Sequence, residues 1–150
     1  MYDTILVPLD GSARAEAILG HVERLAECFG SKIIFLRVVD PPIMVGAPEE
    51  ATMARQIDSL YKLAQEDAEN YLKGVRGEFR QKGLRAELRV MQGPVTEAIV
   101  NASCADNIDL IAMASHGRGG LGSMIYGSVA AGVLHKADRP MLVVRSPMNV

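Results

Sequence analysis

The sequence predicts an α/β fold: one doubly wound domain, a parallel five-stranded sheet with helices on both faces. Three observations predict it. Five short runs of apolar and β-branched residues have strand length. Segments with apolar residues at i, i+3, i+4 and i+7 separate these runs, and strands that alternate with helices join as right-handed βαβ crossovers. The chain has 150 residues, the usual size of a single domain with one substantial core.

The first strand run is Thr4-Ile-Leu-Val-Pro-Leu9. Ser12 is placed to cap the helix that follows. Ala15, Ile18, Leu19, Val22, Leu25, Ala26 and Phe29 mark the apolar face of that helix, and Gly30 stops it as a C-cap. Lys32 to Val39 is the second strand. The connection from Asp40 to about Glu49 is the longest, and its Pro-Pro and Gly-Ala-Pro read as a mobile flap. Ile57, Leu60, Ala64, Ala68, Tyr71, Leu72, Val75 and Phe79 form a second, longer helical stripe, closed by Gly83. Leu84 to Met91 is the third strand. A helix begins behind Pro94 and carries Val95, Ala98, Ile99 and Ala102 on one face. Leu110 to Ala114 is the fourth strand. The last helix holds Val129, Val133 and Leu134 and ends before Pro140, and Met141 to Val144 is the fifth strand.

Composition narrows the function classes. Hydrophobic residues make up 49% and charged ones 23%, a globular balance. A net charge of -2 argues against a general nucleic-acid binder or a polybasic membrane patch. No apolar run reaches the roughly 18 residues of a membrane span. Met1-Tyr2-Asp3 leads into a strand without the n- and h-regions of a signal peptide, so the expectation is a cytoplasmic protein. Cys28 and Cys104 lack the paired spacing of a metal or redox motif and read as buried, reduced thiols.

The glycine-rich stretch ASHGRGGLGSMIYGSVA, Ala114 to Ala130, follows the fourth strand. In doubly wound sheets ligands bind at the carboxyl ends of the strands, where the strand order reverses. Gly117, Gly119 and Gly122 spell G-x-G-x-x-G, but a dinucleotide site wants that motif in the first βα turn, with an acidic residue ending the next strand. Ser123 has no lysine before it, which removes the Walker A loop. What remains is glycine backbone approaching anionic oxygens. Gly127-Ser128-Val129, at the start of the last helix, would supply free N–H groups, with Gly117 on the other side.

His116-Gly117, nine residues, then Gly127-Ser128 resembles the nucleotide motif of the universal stress protein family: G, two residues, G, nine residues, then G and S or T. Ile5-Leu-Val-Pro-Leu-Asp-Gly-Ser12 resembles that family's first strand and turn, and Arg139-Pro-Met-Leu-Val-Val144 its last strand, so the similarity runs over the whole chain. The resemblance implies the strand order 3-2-1-4-5 and a site for ATP, or AMP or ADP, with Mg²⁺ or Mn²⁺ on the phosphates. Pro8, Val38 and Met113 would line the adenine pocket. Asp10 would face the ribose and phosphates or a bound divalent ion. His116, Gly117, Arg118, Gly127, Ser128 and Val129 would surround the phosphates, mostly through main-chain N–H groups. One position departs: the motif's first glycine falls on Ala114, whose methyl weakens binding if the site needs positive φ or direct phosphate approach. The short apolar fifth strand, Met141 to Arg145, leaves an edge that invites antiparallel pairing, and the resemblance likewise implies a homodimer there.

Simpler roles compete with these. Asp10 also suits a turn or a helix cap. Ser115 beside His116 invites a hydrolase reading, but there is no G-x-S-x-G elbow and no acid placed to orient the imidazole. His21 and His135 fall in helices without a metal-ligating cluster. The expected function is ATP binding by a stress-response or signalling protein that acts through its bound state, with no catalytic residues. The alternatives are a slow ATPase or nucleotidyl-transfer enzyme, and a nucleotide-free interaction module if Ala114 disables the motif. The expected partners are an adenine nucleotide, a second copy of the chain and a protein that reads the bound state, with no nucleic acid and no membrane.

Overall fold

The computed structural model describes residues 1–40, 52–105, 107–115 and 127–146. Five strands, β1 (Thr4–Pro8), β2 (Lys32–Val39), β3 (Arg85–Gln92), β4 (Leu110–Ser115) and β5 (Met141–Arg145), pair in parallel in the order β3-β2-β1-β4-β5. Helices α1 (Leu19–Phe29) and α2 (Thr52–Gln81) pack on one face, and α3 (Val95–Cys104) and α4 (Ser128–Lys136) on the other. This is the predicted doubly wound sheet.

The two-residue period of the strands sorts the core into two layers. Ile5, Val7, Ile33, Phe35, Leu110 and Ala112 point to α1 and α2, where they meet Val22, Ala26, Leu72, Val75 and Phe79. Leu6, Ile34, Leu36, Ile111 and Met113 point the other way, onto Ile99, Ala102, Ala130 and Val133. Because β1 is central, all five of its residues are buried. Asp109 pins the entry of β1: its Oδ2 accepts from the N–H groups of Asp3 and Thr4, both at 2.9 Å, and its own N–H donates to the Thr4 carbonyl. At the far end the Leu9 N–H reaches the Leu36 carbonyl at 2.8 Å, which carries the sheet one residue past β1 toward the site.

Several details depart from the sequence reading. The first helix opens with a 3-10 turn, Ala15–Ile18, before α1 proper, a common way for a helix to begin. Gly30 does cap α1, at φ 64°, with its N–H on the Ala26 carbonyl. The stripe on α2 is buried only from Ala68 onward: Ile57 is half-buried, Ala64 exposed, and Leu60 59% exposed. Length explains it, since a 30-residue helix is about 45 Å long, whereas the eight-residue strands beneath it reach about 26 Å. The first turns of α2 overhang the sheet. Phe29 and Leu134, expected on buried faces, are exposed, and Phe29 meets Tyr2 edge-on at 5.4 Å between ring centroids. The third strand runs one residue later than expected, and β4 extends to Ser115. Cys28 and Cys104 are free thiols as expected, but exposed rather than buried. The Asp40 to Glu49 connection lies outside the described residues beyond Asp40.

Candidate functional site

From β1 the chain steps outward one way to β2 and β3, then returns to the other side of β1 for β4 and β5. The reversal falls between β1 and β4, and such a switch point opens a crevice at the carboxyl ends of the strands. A cleft of about 180 Å³ lies there. Its walls are apolar: Pro8, Leu36, Val38, Val95, Ile99, Met113 and Val129. The volume falls short of the roughly 300–1,000 Å³ of pockets that enclose a whole small molecule. The cleft therefore suits one ring system, with the rest of a ligand lying across its open mouth.

Three polar features border the cleft. The first is the turn after β1. Asp10 Oδ1 accepts from the Ser12 N–H at 2.8 Å and from the Ser12 hydroxyl at 2.6 Å, while Ser12 Oγ accepts from the Ala15 N–H at 3.1 Å. Between them Gly11 takes φ 84°, a left-handed conformation that favours glycine. Partial burial raises the Asp10 pKa, but the two Ser12 bonds and the charge of Arg37 outweigh it and hold the carboxyl below its ordinary value. Asp10 is thus a charged, turn-fixed carboxylate at the rim.

The second feature is the start of α4. Gly127 is its N-cap, at φ -56° and ψ 157°, with no side-chain cap and no acidic residue in the first turn. The first N–H groups of a helix lack intrahelical partners and carry its positive partial charge, so this end offers donors to an anion. The third feature is Ser115, at the end of β4. Its side chain shares the Ile111 and Met113 face, it is 1% exposed, and its hydroxyl has no hydrogen-bond partner among the described residues. A buried hydroxyl without a partner costs about 1–3 kcal/mol. It lines the cleft.

The structure brings Pro8, Asp10, Val38, Met113, Ala114, Gly127, Ser128 and Val129 together on this one cleft. His116, Gly117 and Arg118 lie outside the described residues. Ala114 sits in the regular part of β4 opposite Val144, and Asn107 is the one non-glycine with positive φ among the described residues, so the departure from glycine brings no backbone strain. The sequence reading missed Leu36, Val95 and Ile99 as walls and Ser115 as a buried polar group. Counting by twos from Met113 would have put Ser115 on the cleft face. A wider groove of about 690 Å³ lies beside β5, lined by Tyr2, His21, Arg24, Leu25, Met141 and Leu142 among others. It lies at the amino ends of β4 and β5, away from the switch point.

Residues 1–145 match the pattern of the universal stress protein family. The chain belongs to that family. Universal stress protein MJ0577 of Methanocaldococcus jannaschii is 28% identical to it over 155 aligned positions, which cover 97% of this chain and 96% of the relative. A solved structure described as that of MJ0577 superposes with a TM-score of 0.82 at 29% identity, covering 99% of both chains. More distant universal stress proteins have been solved in complex with cAMP (TM-score 0.62, 20% identity, covering 97% and 98%) and, from Archaeoglobus fulgidus, with dAMP (TM-score 0.59, 19% identity, covering 95% and 97%).

Proposed function

We propose that this universal stress protein binds an adenine nucleotide, ATP above all, in the β1–β4 cleft, and acts through the bound state. The observation that carries the reading is the Ser115 hydroxyl, buried and without a hydrogen-bond partner among the described residues, in an otherwise apolar cleft that opens onto the start of α4, whose N-cap is a glycine. Such a cleft asks for a ligand with a flat apolar body, a hydrogen-bonding edge and an anionic tail. Complexes of other family members with cAMP and dAMP support the same ligand class.

In this reading Val38, Met113 and Pro8 sandwich the base, Asp10 faces the ribose and phosphates, and the N–H groups of Ser128 and Val129, with the Ser128 hydroxyl, hold phosphate oxygens. Gly117, Arg118 and His116 complete the phosphate site. Among the described residues no three His, Cys, Asp or Glu side chains converge. A Mg²⁺ or Mn²⁺ would therefore be carried by the phosphates, with Asp10 as the protein's contribution to its coordination.

Main-chain donors bind ground state and transition state alike, and no described residue in the cleft is placed as a general base beyond the turn-locked Asp10. Turnover belongs well below the roughly 1 per second at the slow end of ordinary enzymes. A steady-state rate of several per second with MgATP would favour the ATPase reading instead. No described helix is long and apolar enough to cross a membrane. We also propose a homodimer through β5, a half-buried edge strand that an antiparallel copy would cover. Acid release and chromatography of purified protein, followed by titration with AMP, ADP and ATP, test the ligand. A protein that carries no nucleotide and binds none at millimolar concentration would refute the reading.

A further inference from the structure

The strand order leaves one face of β5 thinly covered. Crossovers that step from β1 to β2 to β3 put α1 and α2 on one face, whereas those that step back to β4 and on to β5 put α3 and α4 on the other. On the α1 face the 3-10 turn Ala15–Ile18 reaches β5, yet Leu142 and Val144, which point that way, stay half-buried. The groove of about 690 Å³ is what remains between α1 and the amino ends of β4 and β5. Leu25, Leu110 and Leu142 give it an apolar floor, and a Cβ on Gly20, which lines it from α1, would meet nothing within 4 Å. The groove is thus an apolar space next to the free edge of the sheet.

We propose that this groove is a docking site for a second copy of the chain, and that it receives the segment following β5 in that copy, with Met148 set against the apolar floor. The proposal rests on the β5 pairing put forward above and is independent of the nucleotide reading. A two-fold antiparallel pair keeps the same faces of both sheets on one side, so residues opposite each other point the same way. With the axis at Val143, the middle of the strand, Leu142 stands opposite the second copy's Val144 and Met141 opposite its Arg145. The carboxyl end of one β5 therefore arrives at the amino end of the other, where the groove lies. Carried two and four residues past Val144, the strand period puts residues 146 and 148 on the α1 side. Within one copy the segment starts at the wrong end: Arg145 is about 13 Å along the strand from Met141, and the chain would first have to reverse. Composition agrees with the place. Residues 146–150, Ser-Pro-Met-Asn-Val, carry no charge, Pro147 has no N–H to leave unpaired on an edge, and Arg24 at the rim already meets Glu27 at 3.5 Å.

The test uses the full chain with Cys28→Ser and Cys104→Ser, adding Gly20→Cys to one preparation and Met148→Cys to another. The two are mixed, allowed to exchange subunits and treated with a short bismaleimide. Each chain then holds a single thiol, so a link between the two kinds of chain joins the groove of one copy to the segment of another. Mass spectrometry should find that mixed product, and Gly20→Cys treated alone should stay unlinked. Gly20→Trp, which fills the groove from an open helix position, should raise the dimer dissociation constant in sedimentation by about 10-fold, the scale of one apolar side chain kept from burial, while Gly20→Ala stays within about twofold. A protein that is dimeric but gives no mixed product would overturn the docking and leave the β5 pairing standing, and so would a Gly20→Trp dimer as tight as wild type. Should that variant fail to fold, the cross-link decides alone. Monomeric wild type at tens of micromolar would overturn pairing and docking together, and titration with MgATP would still test the nucleotide reading by itself.

Discussion

Replacing Ser115 by alanine should make the protein more stable and its ligand weaker. Ser115 is 1% exposed and lines the cleft, and its hydroxyl has no hydrogen-bond partner among the described residues, so the ligand-free fold carries its desolvation cost of about 1–3 kcal/mol. Alanine removes that cost and gives back part of it as a small void, leaving a net gain of about 1 kcal/mol. For a chain of 150 residues this raises Tm by about 2–4 °C. If a nucleotide supplies the missing partner, the variant also loses one neutral hydrogen bond, about 0.5–1.5 kcal/mol, or about 2- to 10-fold in Kd. Urea denaturation of ligand-free protein gives the first quantity, and calorimetric titration with MgATP the second. A variant less stable than wild type, with unchanged affinity, would show that the hydroxyl is already satisfied within the protein and refute the reasoning.

Other outcomes follow from the same geometry. Gly11→Ala puts a side chain at φ 84° against the Arg37 guanidinium and should cost about 1–3 kcal/mol, and pairing it with Arg37→Ala should recover the steric share; denaturant midpoints of the single and double variants check this. The Asp10 pKa is depressed in the fold, so its contribution is fully present above about pH 5 and is lost as pH falls through the unfolded value near 4 and then through the lower folded one. Urea midpoints should therefore drop between pH 5 and pH 3, and by less in Asp10→Asn. Val143→Pro removes a ladder donor from β5 and should shift the proposed dimer to monomer in light scattering. Wild type already monomeric at tens of micromolar would end the β5 pairing.

What the sequence made legible follows from range. The apolar run along Ile5 to Val7, the Gly30 cap and the Pro94 start are local signals, and each sits where the chain itself said it would. The strand ends were legible to within a residue, and Pro8, Val38 and Met113 as the lining of one pocket came from the family resemblance. Residue partners far apart in the chain were not. Glu16, Arg37 and Tyr71 meet only because the 3-10 turn, β2 and α2 converge beside β1, and none of the three carries a motif. The orphaned Ser115 hydroxyl depends on what packs over it, which spacing does not encode. The overhang of α2 came from comparing helix length with strand length, two quantities that periodicity alone leaves unrelated.

The central claim is that the cleft between β1 and β4 holds a nucleotide whose phosphates lie against the start of α4. Calorimetric titration of folded wild type, Ser128→Ala and Gly127→Val with MgATP tests it most directly, because Gly127 is the N-cap of α4 and lines the cleft. Saturable wild-type binding is expected, with a loss of about 2- to 10-fold in Ser128→Ala, where one hydrogen bond goes, and a larger loss in Gly127→Val, where a branched side chain stands in the phosphate path. Unchanged affinity in Gly127→Val would contradict the account.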